Sequence, residues 1–163
     1  MLIRPAVPDD LEAVNAVHAA CGRRAWDAAT LEPRADRYVA VAAVGGTIVG
    51  VGKTHHQTDP DGEAPAGYYL GGVSVHPDHR RRGVGRAITR ARIEWIWERS
   101  GTVYYFTDDD NAASMRMHAD FGFEEIARLP AILGAKADHE SLVLFRADRP
   151  PLNPSPASRR LSR

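Results

Sequence analysis

The run His79-Arg80-Arg81-Arg82-Gly83-Val84-Gly85-Arg86 is the segment whose residue types and spacing can do chemistry. Glycines just before a helix leave backbone N–H groups with no side chain over them. Those unpaired donors, with the positive end of the helix dipole, make a site for an anion. Arg80, Arg81, Arg82 and Arg86 surround it with guanidinium groups suited to phosphate oxygens. The ligand this predicts carries phosphate. A P-loop would need Lys-Ser/Thr after its second glycine, and the run has no lysine. A dinucleotide fingerprint would need glycine where Ile88 stands, early in a βαβ unit. Arg80-x-x-Gly83-x-Gly85 instead fits Gln/Arg-x-x-Gly-x-Gly/Ala at a strand-to-helix junction.

The flanking elements must hold that loop. Tyr68–Val75 is aromatic and β-branched and predicts a strand; Gly71-Gly72 inside it predicts a bulge or a close backbone approach. From about Gly83 to Ser100 a helix is expected, with Val84, Ile88, Ala91 and Trp95 as its apolar stripe and Gly101 as its stop. Upstream, Leu2-Ile3-Arg4 reads as a short strand and Asp10–Ala20 as a helix, with Asp9 and Glu12 as a capping-box variant. A short helix before Pro33 fits the next stretch. Tyr38–Val44, Gly45-Gly46 and Thr47–Val51 read as a hairpin, and Thr58–Gly67 as a polar loop. Downstream come a strand over Val103–Thr107, a helix from a cap at Asp110 or Asn111 to about Phe121, and closing strands at Phe123–Leu129 and Glu140–Arg146.

The chain has 163 residues, 44% hydrophobic and 26% charged, which allows one domain. A domain over 1–146 and a mobile Pro/Arg/Ser-rich tail over 147–163 are expected. No apolar run suits a membrane span or a signal peptide, and Cys21 is the only cysteine, so a cytoplasmic setting is expected. Net charge is zero overall, but the tail's four Arg and one Asp leave 17 − 20 = −3 on residues 1–146. Such a body has no field to draw it onto nucleic acid. His55-His56 alternate across a strand and His76/His79 lack further ligands, so no metal is expected. Asp108-Asp109-Asp110 with Asp59, Asp61 and Glu63 either cap and solvate their turns or attract a cationic amine.

Taken together these features resemble the GNAT family of acyl-CoA-dependent N-acetyltransferases. The resemblance covers nearly all of 1–146: Ile3-Arg4-Pro5, the hairpin, Val73-Ser74-Val75-His76-Pro77 before the glycine loop, and Asn111-Ala112-Ala113-Ser114…Phe121-Gly122-Phe123 about thirty residues on. It implies an α/β fold of the α+β type, with a mixed, twisted, mostly antiparallel sheet of six to seven strands and helices on both faces. It also implies that acyl-CoA lies in a split between the two central strands. Arg80, Arg81, Gly83, Val84, Gly85 and Arg86 would then cradle the pyrophosphate, and Val73 and Val75 would pair with the pantetheine arm. Val73 N–H would polarise the thioester carbonyl and stabilise the oxyanion, with Asn111 beside the pantetheine on the other wall.

Two positions depart from the family pattern. Four residues before Gly122, where many members have a tyrosine that protonates the departing thiolate, this chain has His118. With an ordinary pKa of about 6.5 an imidazole is partly protonated near neutrality, which makes His118 a candidate general acid. No glutamate stands in Tyr68-Tyr69-Leu70 to serve as base; His55, His56, His76 or a water chain are the alternatives. The expected activity is transfer of an acetyl group from acetyl-CoA to a primary amine by direct attack in a ternary complex, with no metal. A small cationic amine is slightly favoured as acceptor over a protein N-terminus or lysine, and many relatives form homodimers. The rival from another class is a non-catalytic acyl-CoA-binding regulatory module.

Overall fold

A computed structural model of the chain describes residues 1–151. In chain order the elements are β1 (Leu2–Pro5), α1 (Leu11–Ala20), α2 (Ala28–Leu31), β2 (Val39–Val44), β3 (Thr47–Gln57), β4 (Gly67–Val75) and α3 (Val84–Trp97). They are followed by β5 (Thr102–Asp108), α4 (Ala112–Ala119), β6 (Glu124–Leu129), β7 (Ala131–Ile132), β8 (Ala135–Lys136) and β9 (Leu142–Asp148). Seven strands form one sheet in the order β1-β2-β3-β4-β5-β9-β6, and β7 and β8 make a separate ribbon. Every neighbouring pair in the large sheet is antiparallel except β4 and β5, which are parallel. Mixed pairing, strand number and a single domain agree with the expected fold class.

Pleating explains how the two faces are filled, because alternate residues point to opposite sides. Val39, Val41 and Val51 pack with Val14 and Val17 of α1, whereas Ala40, Ala42 and Val49 pack with Val84 and Ile88 of α3. Further along, Leu70, Val103, Tyr105, Val143 and Phe145 join Ile93 and Ile96 of α3, with Met115 of α4 against them. Tyr69, Tyr104, Leu142 and Leu144 fill the opposite face beneath Ile132 of the ribbon. Gly50 and Gly52 bring β3 close to α3: a Cβ at Gly50 would lie 2.8 Å from Ile88, and one at Gly52 2.9 Å from it.

Several local expectations shift. The first helix is entered through a turn at Pro8–Asp10, and its N-cap position is held by Asp10 rather than Asp9, with the Asp10 side chain turned back onto that turn instead of capping the helix. The Asp10 carboxylate accepts Val7 N–H at 2.9 Å and both Arg4 terminal nitrogens at 2.7 and 2.8 Å, and those bonds hold its pKa below the usual range. β3 continues six residues past the expected Val51, to Gln57. β9 runs through Ala147 and Asp148, two residues into the expected tail, because Ala147 is buried in the core. The rest of that tail, from 152 on, lies outside the described residues. Among the described residues no helix is long and apolar enough to cross a membrane.

The feature that makes a site is the join of β4 to β5. The two strands share one paired position, Tyr69 with Tyr104. Beyond it Val73 and Val75 on one side, and Phe106 and Thr107 on the other, line a cleft of about 990 Å³.

Candidate functional site

The first wall is the loop from β4 to α3. After Val75 the chain turns through Pro77–His79, and Arg81 and Gly83 then take positive φ of 58° and 80°. Gly83 is the N-cap of α3 and supplies no side-chain cap, so the first N–H groups of the helix are left for a ligand. A Cβ on Gly83 would meet nothing within 4 Å, and one on Gly85 only Val75 Cγ2 at 3.6 Å. The loop is therefore bare on its cleft side.

The guanidinium groups divide. Arg80, Arg81 and Arg86 line the cleft and Arg82 does not. Arg80 Nε donates to the Val75 carbonyl at 3.1 Å, and Cys21 Sγ donates to the same oxygen at 3.2 Å. Arg80 is thus folded back on β4, and the Val75 carbonyl already has two donors. Arg86 reaches across to Asp120 and lies 5.3 Å from the Phe121 ring centre, tying α3 to the end of α4.

The second wall is β5 with α4. Asn111 caps α4: its Oδ1 accepts Ser114 N–H at 3.1 Å and its Nδ2 donates to Thr107 Oγ1 at 3.0 Å. His118 is 5% exposed, and its Nδ1–H donates to the Ser114 carbonyl at 2.8 Å. Its ring stacks on Tyr105 at 3.8 Å between centres, and Tyr105 stacks on Phe145 at 4.7 Å. Burial pulls the His118 pKa down to about 4, with Arg92 pulling the same way and the Ser114 bond resisting. The expectation of a partly protonated ring near neutrality is corrected by this burial: the imidazole is neutral there. The Tyr105 hydroxyl, which also belongs to a cleft residue, is buried without a hydrogen-bond partner among the described residues, and burial raises its pKa.

All the residues singled out for the ligand from sequence (Val73, Val75, Arg80, Arg81, Gly83, Val84, Gly85, Arg86, Asn111 and His118) border this one cleft. The histidines weighed as base separate: His55 borders the cleft, while His56 packs on Tyr68 at 4.4 Å and His76 sits 3.8 Å from Asp78 in the turn. The acidic residues separate too. Asp108 borders the cleft, but its Oδ1 accepts Asp138 N–H at 2.7 Å. Asp109 binds His139 and Ser141, and Asp59, Asp61 and Glu63 are not cleft residues. Among the described residues no group of three or more His, Cys, Asp or Glu can hold a metal ion.

Two contributors were missed in the sequence. The β7–β8 ribbon brings Leu133, Ala135, Lys136 and Asp138 to the cleft. Its signal was Leu133-Gly134 between the short pairs Ala131-Ile132 and Ala135-Lys136, and both turn residues have positive φ, 47° and 80°. Arg92 of α3 also borders the cleft and is 1% exposed; its signal was its place four residues after Ile88 and four before Ile96, on the apolar face of the helix.

Comparison with known proteins returns the model of the acetyltransferase (GNAT) family over residues 8–123. A ribosomal-protein-alanine N-acetyltransferase from Brucella melitensis superposes with a TM-score of 0.72 at 24% identity, over 91% of this chain and 100% of that one. The yncA protein of Salmonella typhimurium, solved with its cofactor acetyl-CoA, gives 0.72 at 23% identity over 96% and 98%. A probable N-acetyltransferase HLS1-like of Arabidopsis thaliana is 36% identical over 67 residues, 40% of this chain and 16% of that protein's length.

Proposed function

This chain belongs to the acetyltransferase (GNAT) family, and from that premise we propose that it moves an acetyl group from acetyl-CoA to a primary amine by direct attack. The observation that carries the proposal is the uncapped, glycine-bare start of α3 opening onto the split between β4 and β5. In this reading the N–H groups of Arg81, Gly83, Val84, Gly85 and Arg86 hold the pyrophosphate, and the thioester lies along β4. Val73 N–H then faces the carbonyl oxygen, where a fixed donor stabilises the tetrahedral oxyanion as the amine attacks. Val75 contributes its place on the strand more than its carbonyl, which Arg80 and Cys21 already occupy. Asn111 acts through the α4 start it caps.

The departing thiolate needs a proton or a hydrogen bond. The acid role given to His118 depends on a protonated ring, which a pKa of about 4 leaves scarce at neutral pH. The better candidate donor is Tyr105, whose ring lines the cleft and stacks on His118. Its hydroxyl, buried and without a hydrogen-bond partner among the described residues, would have to turn toward the cleft to reach the sulfur. His55 is the base favoured by position, at the cleft border.

The acceptor is less acidic in its surroundings than the sequence implied. Asp108 and Asp138 border the cleft together with Arg23, His55 and Lys136, so both signs of charge meet the incoming amine. That mixture suits an amine that also carries polar or anionic groups, such as an amino acid or a peptide N-terminus, at least as well as a polyamine. Calorimetry with acetyl-CoA, followed by a thiol-release assay with a panel of amines, tests the reading. Micromolar binding with amine-dependent thiol release is the expected result. Binding without release for any amine would favour the regulatory module, and no binding would remove the proposal.

A further inference from the structure

Arg92 lies in the middle of α3, fully buried, and among the described residues no carboxylate pairs with it. A buried cation without a counter-charge is costly to a fold unless hydrogen bonds replace water around it. Its bonds are specific. Nη1 donates to the Gly71 carbonyl at 2.6 Å and to the Lys53 carbonyl at 2.9 Å, and Nη2 donates to Thr89 Oγ1 at 3.2 Å.

Those two carbonyls flank the irregularity between β3 and β4. Gly52 is opposite Val73 and Thr54 is opposite Leu70, so two steps on β3 match three on β4 and the extra residue falls at Gly71-Gly72. A bulge leaves ladder groups unpaired, and the single nitrogen Nη1 donates to an oxygen on each strand. The extra residue also resets the pleat. Leu70 packs with Ile93 and Ile96 of α3, and Val73, an odd number of positions later, packs with Val84 and Ile88 of the same helix. In a regular strand those side chains would face opposite ways. Successive backbone N–H groups alternate direction in the same manner, so the bulge sets which way Val73 N–H points. Gly52 makes room for the clamp, since a Cβ there would lie 3.1 Å from Arg92 Cζ.

We propose that Arg92 is a positioning residue that pins the β4 bulge and thereby aims the Val73 N–H into the cleft. It touches no reacting atom itself, and the proposal rests on the reading of Val73 as the oxyanion donor. Displacing that donor slightly should weaken the transition state while leaving the pyrophosphate loop, at the other end of β4, as it was.

The test compares Arg92→Gln, Arg92→Lys and Thr89→Val with the wild type. It measures steady-state kinetics, acetyl-CoA calorimetry, melting temperature, and hydrogen exchange at the Gly72 and Val73 amides by NMR. Arg92→Gln is expected to lower kcat ~100-fold, with the acetyl-CoA Kd within about threefold of wild type and faster exchange at both amides. Arg92→Lys, which keeps the charge but lacks the second nitrogen that anchors the group to Thr89, should fall between, and Thr89→Val should lose a few-fold. Unchanged kcat in folded Arg92→Gln, or kcat and acetyl-CoA affinity lost in step, would overturn the proposal. If Arg92→Gln does not fold, Thr89→Val decides by the same two readouts. A wild type that binds acetyl-CoA but releases no thiol defeats the catalytic reading alone, and amide exchange still decides whether Arg92 pins the bulge.

Discussion

His118 sits between an ordinary pKa of 6.5 and a folded-state value of about 4, so across that interval the folded protein binds fewer protons there than the unfolded chain. Its contribution is fully present above 6.5 and is lost as the pH falls toward 4, at about 1.4 kcal/mol per unit and ~3 kcal/mol in all. His18, held below its usual value mainly by burial, adds in the same direction, while the exposed His139 beside Asp109 works weakly against it. Urea unfolding at pH 7 and pH 4.5 should show the fall, and His118→Gln should remove most of it. Tyr105→Phe separates chemistry from packing. Deleting a buried, unpartnered hydroxyl should hold or raise stability by about 1 kcal/mol, yet lower kcat ~100-fold if that hydroxyl serves the sulfur. Full turnover in this variant would take the donor role away from Tyr105. The sequence identified position 118 but not the protonation of its ring. The Ser114 bond is local to α4, but burial by Tyr105 and Phe123 arises from tertiary packing that spacing alone does not contain.

The strand–loop–helix unit was legible because each part obeys a local rule. Gly83 takes a positive φ at an N-cap, Gly71-Gly72 forms the bulge, and β-branched residues flank both. Gly85→Leu is the cleaner probe of this unit, since Gly85 has no positive φ and its Cβ would meet only Val75. Acetyl-CoA affinity measured by calorimetry should drop more than 100-fold, roughly 2.7 kcal/mol, with little change in melting temperature. Wild-type affinity in that variant would reject the loop as the phosphate site. Helix α3 was legible as a helix but not as the clamp. Its expected stripe of Val84, Ile88, Ala91 and Trp95 is rotated in the structure toward Thr89, Arg92, Ile93 and Ile96. Spacing sets Arg92 on the apolar face, four residues from Ile88 and from Ile96, but the carbonyls it answers belong to strands twenty and more residues away.

At the scale of the whole molecule, α3 couples sheet packing to the phosphate loop. Gly50→Ala would set a methyl 2.8 Å from Ile88 Cδ1 and 2.9 Å from Val84 Cγ1. A destabilisation of about 1–3 kcal/mol is expected from such overpacking. Because Val84 opens α3, acetyl-CoA affinity should weaken as well, which thermal unfolding with and without ligand will register. Unaltered ligand affinity would mean that the helix start is independent of its seat on β3. The single paired position between β4 and β5 has a mechanical meaning. One half of the protein, β1 to β4, is stitched to the other, β5, β9 and β6, by one parallel pair, by the core under α3 and by the cluster beneath the ribbon. A guest lying in that seam works as mortar, so the empty protein should breathe along it and the filled one should set.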